Sequence, residues 1–141
     1  MTFDNPLIVG DFYEGANGPT ILLILNSIKA ATWLRQVFIE QADRAEPRDL
    51  AAEPEVRVSN LEGLRLATRV QGSDIELKRD DTGSNGATFV LAASERGWRD
   101  VADLIEPFTN GRPGHQYFPD LAGDDAVIEV SFGESHRDHQ Q

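Results

Sequence analysis

His115 is the one histidine inside the chain, the other two falling in the last six residues, and it comes in the company that acid–base chemistry needs. Gly114-His115-Gln116-Tyr117-Phe118 is followed by Asp120 and Asp124-Asp125 and runs into Ala126-Val127-Ile128-Glu129-Val130-Ser131. An imidazole oriented by Asp124 or Asp125 is a candidate general base near neutral pH. Ser94, Ser131 or water would then have to supply the nucleophile. Neither serine stands in the Gly-x-Ser-x-Gly elbow that exposes an activated hydroxyl, so the set is incomplete. The structural alternative is a turn in which His115, Gln116 and Tyr117 find backbone partners and lock the second helix to the last strand.

Metal and cofactor chemistry have less support. His115, Asp120, Asp124 and Asp125 are ligand types for zinc or manganese, but a closed site is hard to build around one internal histidine. His136 and His139 stand three apart in a tail that reads as solvent-exposed. Asp81 and Asn85 echo alternating calcium ligands, yet Gly83 stands where an oxygen is needed and Ala92 where the bidentate glutamate belongs. That segment therefore reads as a hairpin turn. Gly10, Gly15 and Gly18 open no helix in a Gly-x-Gly-x-x-Gly pattern. The chain has no cysteine, which removes disulfides and thiolate chemistry. No cofactor and no metal are expected.

The elements that must position these residues follow from periodicity. Leu7-Ile8-Val9-Gly10 with Phe12 and Tyr13 predicts a first strand, and Gly15 to Pro19 a turn. Thr20 to Leu25 is a continuous apolar run, predicting a central strand buried on both faces. Asn26 or Ser27 caps a helix with Ala30, Trp33, Leu34, Val37 and Phe38 on one stripe, ending near Asp43. Ile39 falls off that stripe and is expected to be exposed. Residues 45–55 form an acidic, proline-containing connection. Strands are predicted at 56–60, 64–70, 75–79 and 87–92, linked by Gly/Asp/Asn turns as an antiparallel meander. Ser94 caps a second helix with Trp98, Val101, Ala102, Ile105 and Phe108 on its stripe; Glu106-Pro107 limits regular helix there, and Asn110-Gly111 closes the segment. Both tryptophans read as core anchors. Residues 126–132 predict the last strand, and residues 134–141 a flexible tail. No internal repeat is visible. The fold expected is α+β: a mostly antiparallel sheet with two amphipathic helices on one face, residues 1–141 making one domain.

Composition bounds the function. The 141 residues are 40% hydrophobic and 26% charged, a globular balance, with no apolar run long enough to span a bilayer and no signal-peptide pattern in residues 1–30. A soluble, cytoplasmic protein is the expectation. Net charge is −11, from 24 acidic and 13 basic residues. That sign disfavours nucleic acid and anionic membrane and suits a cationic protein partner.

Ser94-Glu95-Arg96-Gly97-Trp98, Gly114-His115-Gln116-Tyr117, the run from Asp124 to Ser131 with Gly133-Glu134, and Trp33-Leu34-Arg35 resemble small bacterial proteins similar to immunity proteins of polymorphic toxin systems. The resemblance spans roughly residues 20–134. It implies a cytoplasmic, non-enzymatic protein that neutralises a toxin by binding it, with a cationic toxin as partner. His115, Tyr117, Asp120, Asp124 and Asp125 are the residues expected to face that partner. Two alternatives stay open: a small hydrolase-like enzyme centred on His115, Tyr117 and Asp124, and a homo-oligomeric accessory protein using a sheet edge or Ile39.

Overall fold

The computed structural model describes residues 6–15, 18–70, 75–81, 86–118 and 126–133. The first hairpin joins β1 (Ile8–Gly15) to β2 (Gly18–Leu25), antiparallel from Ile8↔Leu25 to Gly15↔Gly18. Helix α1 (Ile28–Ala42) follows. Ser27 is its cap, the hydroxyl accepting from the Ala30 amide at 3.1 Å, while the Asn26 side chain donates to the Pro6 carbonyl instead. The segment read as a plain connection contains a short strand β3 (Arg48–Asp49) and a 3₁₀ turn (Leu50–Ala52) that buries Leu50. Then come β4 (Val56–Ser59), β5 (Gly63–Arg69), β6 (Glu76–Arg79), β7 (Thr88–Ser94), helix α2 (Glu95–Thr109), β8 (Gly114–Phe118) and β9 (Val127–Phe132).

The fold is α+β with two helices packed on each other, but the strands form two sheets. One has five strands in the order β4-β1-β2-β9-β8, and the other four in the order β3-β5-β7-β6. Pairings β1–β4, β2–β9 and β5–β7 are parallel, and β1–β2, β3–β5, β6–β7 and β8–β9 antiparallel. The expected meander over residues 56–92 is therefore replaced: β4 joins the other sheet, and β5 pairs parallel with β7 while β6 pairs antiparallel to it. Close spacing along the chain favours hairpins, but it does not choose which edge a strand joins.

The reason lies in a repeat of topology. Strands β1 and β2, helix α1 and strands β3 and β5 form one ββαββ half. Strands β6 and β7, helix α2 and strands β8 and β9 form the other, with β4 added at an edge. Each half places its second pair of strands in the sheet begun by the other half's first pair. Both helices have 15 residues and both open on a serine that accepts from the amide three residues on, Ala30 in α1 and Gly97 in α2. Buried positions then run in step: Ala31 with Trp98, Leu34 with Val101, Phe38 with Ile105, Gln41 with Phe108. The residue types differ at nearly every such position, so the sequence shows no repeat.

The two halves share one core. Trp98 stacks on Phe38 with ring centroids 5.7 Å apart and donates its indole N–H to the Ala67 carbonyl at 3.1 Å. Phe38 also meets Phe118 edge-on, Phe108 stacks on Phe132, and Phe12 meets Phe89 directly between the sheets. Helices and second sheet thus lie against one face of the five-stranded sheet, the face carrying Phe12, Phe118 and Phe132. Gln41, fully buried, ties α1 to β5: its Nε2 donates to Thr68 Oγ1 at 2.9 Å, and that hydroxyl donates to the Gln41 carbonyl at 2.6 Å.

Three further expectations are corrected. Ile39 is half-buried against the core. Glu106-Pro107 does not limit α2, which continues to Thr109 and closes at Asn110 as expected, because proline removes only one amide bond and buried Phe108 with the Asn110 cap holds the last turn. Trp33 is only partly buried, so Trp98 alone is a full core anchor. No helix among the described residues is long and apolar enough to cross a membrane.

Candidate binding face

Gly114 to Phe118 is an edge strand, not a turn, and its alternation decides where the sequence-selected side chains go. Phe118 points inward, its ring edge-on to Phe38 of α1. His115 and Tyr117, two residues apart, share the outer side. Both are exposed, Tyr117 to 51%, and their rings meet edge-on at 5.2 Å. Asp120, Asp124 and Asp125 lie outside the described residues.

The ladder carries His115 and Tyr117 into two rows across the whole sheet. His115 is followed by Ser131, Ile24, Val9 and Arg57 on successive strands, and Tyr117 by Glu129, Leu22, Asp11 and Ser59. A third, shorter row holds Val127, Thr20 and Tyr13. The centre of this outer face is aliphatic, with half-buried Leu22 and Ile24 flanked by Val9 and Val127. Two carboxylates, Asp11 and Glu129, bracket Leu22. Tyr13 and Tyr117 stand on opposite sides, and Arg57 lies on the outermost strand. Asp11 is held by Asn60, whose Nδ2 donates to it at 2.7 Å from a left-handed backbone (φ 64°) that asparagine tolerates better than most residues.

This arrangement corrects the reading of Thr20 to Leu25 as buried on both faces. The strand is central, but only Ile21, Leu23 and Leu25 enter the core, and Leu22 and Ile24 face outward. The apolar run at Ile21–Leu25 was the one signal in the sequence that touches this face, and by itself it predicts burial on both sides. Sequence reasoning missed Asp11, Tyr13, Leu22, Ile24 and Glu129 because they meet only through strand register.

Burial, then the charges of Glu129 and Asp11, push the Tyr13 phenol above its ordinary value, against an opposing hydrogen bond with Thr20. Tyr13 is therefore expected to ionise, in an absorbance titration, above the value of about 10 at which a free tyrosine does so. Tyr13→Phe should delete that late component and Glu129→Gln should move it down; an unchanged curve in both variants would contradict the assignment. The native value lies above the unfolded one, so the unfolded chain releases its proton first. This group leaves stability untouched below about pH 10 and lowers it as pH rises through the native value.

The same geometry places the two serines considered as nucleophiles. Ser131 is cross-strand from His115, but its exposure is 0%, so a substrate carbonyl cannot reach its hydroxyl. The Ser94 hydroxyl is occupied as the cap of α2. Among the described residues no three His, Cys, Asp or Glu side chains gather as a metal site. The Asp81 carboxylate, considered for calcium, instead accepts from the Thr88 amide at 2.9 Å and from Arg79 at 2.8 Å, which holds it below the usual carboxylate range. Asn85 and Gly83 lie outside the described residues. Two adjoining shallow clefts, about 490 and 380 Å³, share Val70 and Glu95 at the junction of α1, β5 and α2, and neither is lined by His115 or Tyr117. No family model, curated protein or solved structure matches the chain.

Proposed function

We propose that the chain is a non-enzymatic binding protein of the immunity type, acting in the cytoplasm, which uses the outer face of its five-stranded sheet to engage a basic protein toxin. One observation carries this reading: Leu22 and Ile24 stand only half-buried at the centre of a sheet face, bracketed by Asp11 and Glu129 and flanked by Tyr13 and Tyr117. Aliphatic and aromatic side chains at the centre supply desolvation energy, and tyrosines are enriched among the residues that dominate interfaces. The carboxylates, on a chain of net charge −11, speed encounter with a cationic surface and select its register. His115 adds a partner contact at the edge. The acidic residues Asp120, Asp124 and Asp125 follow β8 in sequence and extend the same preference.

The test is calorimetric titration with a basic protein that the wild-type chain retains from the source cell lysate. Tyr13→Ala or Tyr117→Ala is expected to weaken binding by about 10- to 30-fold, and Asp11→Lys with Glu129→Lys by about 100-fold or more. Binding by the wild type should weaken as salt rises. Unchanged affinity in the folded double-charge variant would remove this face from the account.

A further inference from the structure

The topological repeat makes a second comparison available. Strand β1 corresponds to β6, β2 to β7, β9 to β5 and β8 to β3, so each row on the five-stranded sheet has a counterpart on the four-stranded one. The row Asp11, Leu22, Glu129, Tyr117 corresponds to Lys78, Val90, Arg65, Asp49. Charge is reversed at both flanking positions while the central residue stays aliphatic. In each row the two like charges sit on strands separated by one other, roughly 10 Å apart. Arg65 and Lys78 are exposed, and Val90 is half-buried like Leu22. Around Val90 this face is small and flat, with Ala67, Ala92 and Thr88. Its acids are Glu76 beside Ala92 and Asp49 opposite Arg65. The Asp49 carboxylate is engaged at home, accepting from the amides of Ala51 and Leu64 at 3.0 Å each.

From this match we infer that a second copy of the chain docks its Lys78–Val90–Arg65 row on the Asp11–Leu22–Glu129 row. The equal charge spacing pairs both acids with both bases at once and sets Val90 on Leu22. Four strands offer on the order of 300 Å² of projected contact per copy, so the association is weak and reversible. The contact is heterologous: a docked pair keeps one acidic face on one copy and one basic face on the other, and assemblies lengthen with concentration. Net charge of −11 repels whole molecules, but at about 0.15 M salt the screening length is about 8 Å and only charges in contact count. Association therefore peaks at intermediate salt, repelled by the net charge below and screened at the contact above. A basic protein bound at Asp11 and Glu129 would compete with it. The inference does not depend on that partner: self-docking stands or falls on the two rows alone.

Sedimentation equilibrium of the full chain tests it. The weight-average mass is expected to rise from the 15.6 kDa monomer by about twofold or more toward about 1 mM protein at about 0.15 M salt, and to fall back near about 1 M salt. Arg65→Glu with Lys78→Glu makes both faces acidic, and Asp11→Lys with Glu129→Lys makes both basic. Each variant alone should be monomeric, and mixing the two should restore association. A wild type that stays monomeric across the concentration range overturns the proposal, and so does association that persists in the single variants or fails to return on mixing.

Discussion

Trp98→Ala is expected to cost about 3–5 kcal/mol, a large share of the roughly 5–15 kcal/mol that holds a domain of this size together. Trp98 has an exposure of 0% and lies where the two halves of the fold meet. Its ring stacks on Phe38 of the other helix, and its indole N–H is bonded to the Ala67 carbonyl of the other half. Truncation removes the packing, opens a cavity between the helices and takes the indole donor from the partly buried Ala67 carbonyl. Trp98→Phe keeps most of the packing and loses the bond, so it should cost distinctly less. Urea unfolding read by circular dichroism measures both. Equal and small losses in the two variants would mean that the halves are not joined through this residue.

Gly10→Ala is expected to be nearly as damaging, on the order of 2–4 kcal/mol, although it adds a single carbon. A methyl on Gly10 would fall inside the contact distance of the Leu22 carbonyl oxygen, with the Leu22 carbonyl carbon at 3.0 Å and the Leu23 Cα at 3.4 Å. All three are backbone atoms of the neighbouring strand, so relief requires β1 and β2 to shift apart. That shift would disturb the register placing Asp11 beside Leu22 and Tyr13 beside Thr20. Gly86→Ala is the control, because the nearest atoms there belong to the flexible Glu62 side chain. Thermal unfolding should separate the two substitutions clearly; indistinguishable midpoints would show that β1 adjusts more freely than its backbone contacts allow.

Local structure was largely legible in the residues, and long-range pairing was not. The Ser94 cap, the Trp98-to-Phe108 stripe and the end of α1 at Asp43 could be read because helical periodicity and capping are local. Strand positions near residues 56, 64, 76 and 88 were also readable. Their partners were not, since each half completes the sheet of the other and three pairings are parallel. Strand β8 looked like a turn because glycine opens it and only Phe118 along it is buried, which is how an edge strand reads. Of the residues singled out in the sequence, His115 and Tyr117 lie side by side on the outer face, on an edge strand and not in a turn. Asp11 and Glu129 come from opposite ends of the chain, and only the parallel pairing of β2 with β9 brings them to one face.

We propose the outer face of the five-stranded sheet as a docking surface for a basic protein. Parallel affinity captures from the source cell lysate test it most directly, using wild type, a Leu22→Asp/Glu129→Lys variant and an Arg65→Glu/Lys78→Glu variant, each shown to be folded. The expected result is one basic protein retained by the wild type and by the Arg65/Lys78 variant, and lost from the Leu22/Glu129 variant. Equal retention by all three, or loss only when Arg65 and Lys78 are changed, would contradict the account.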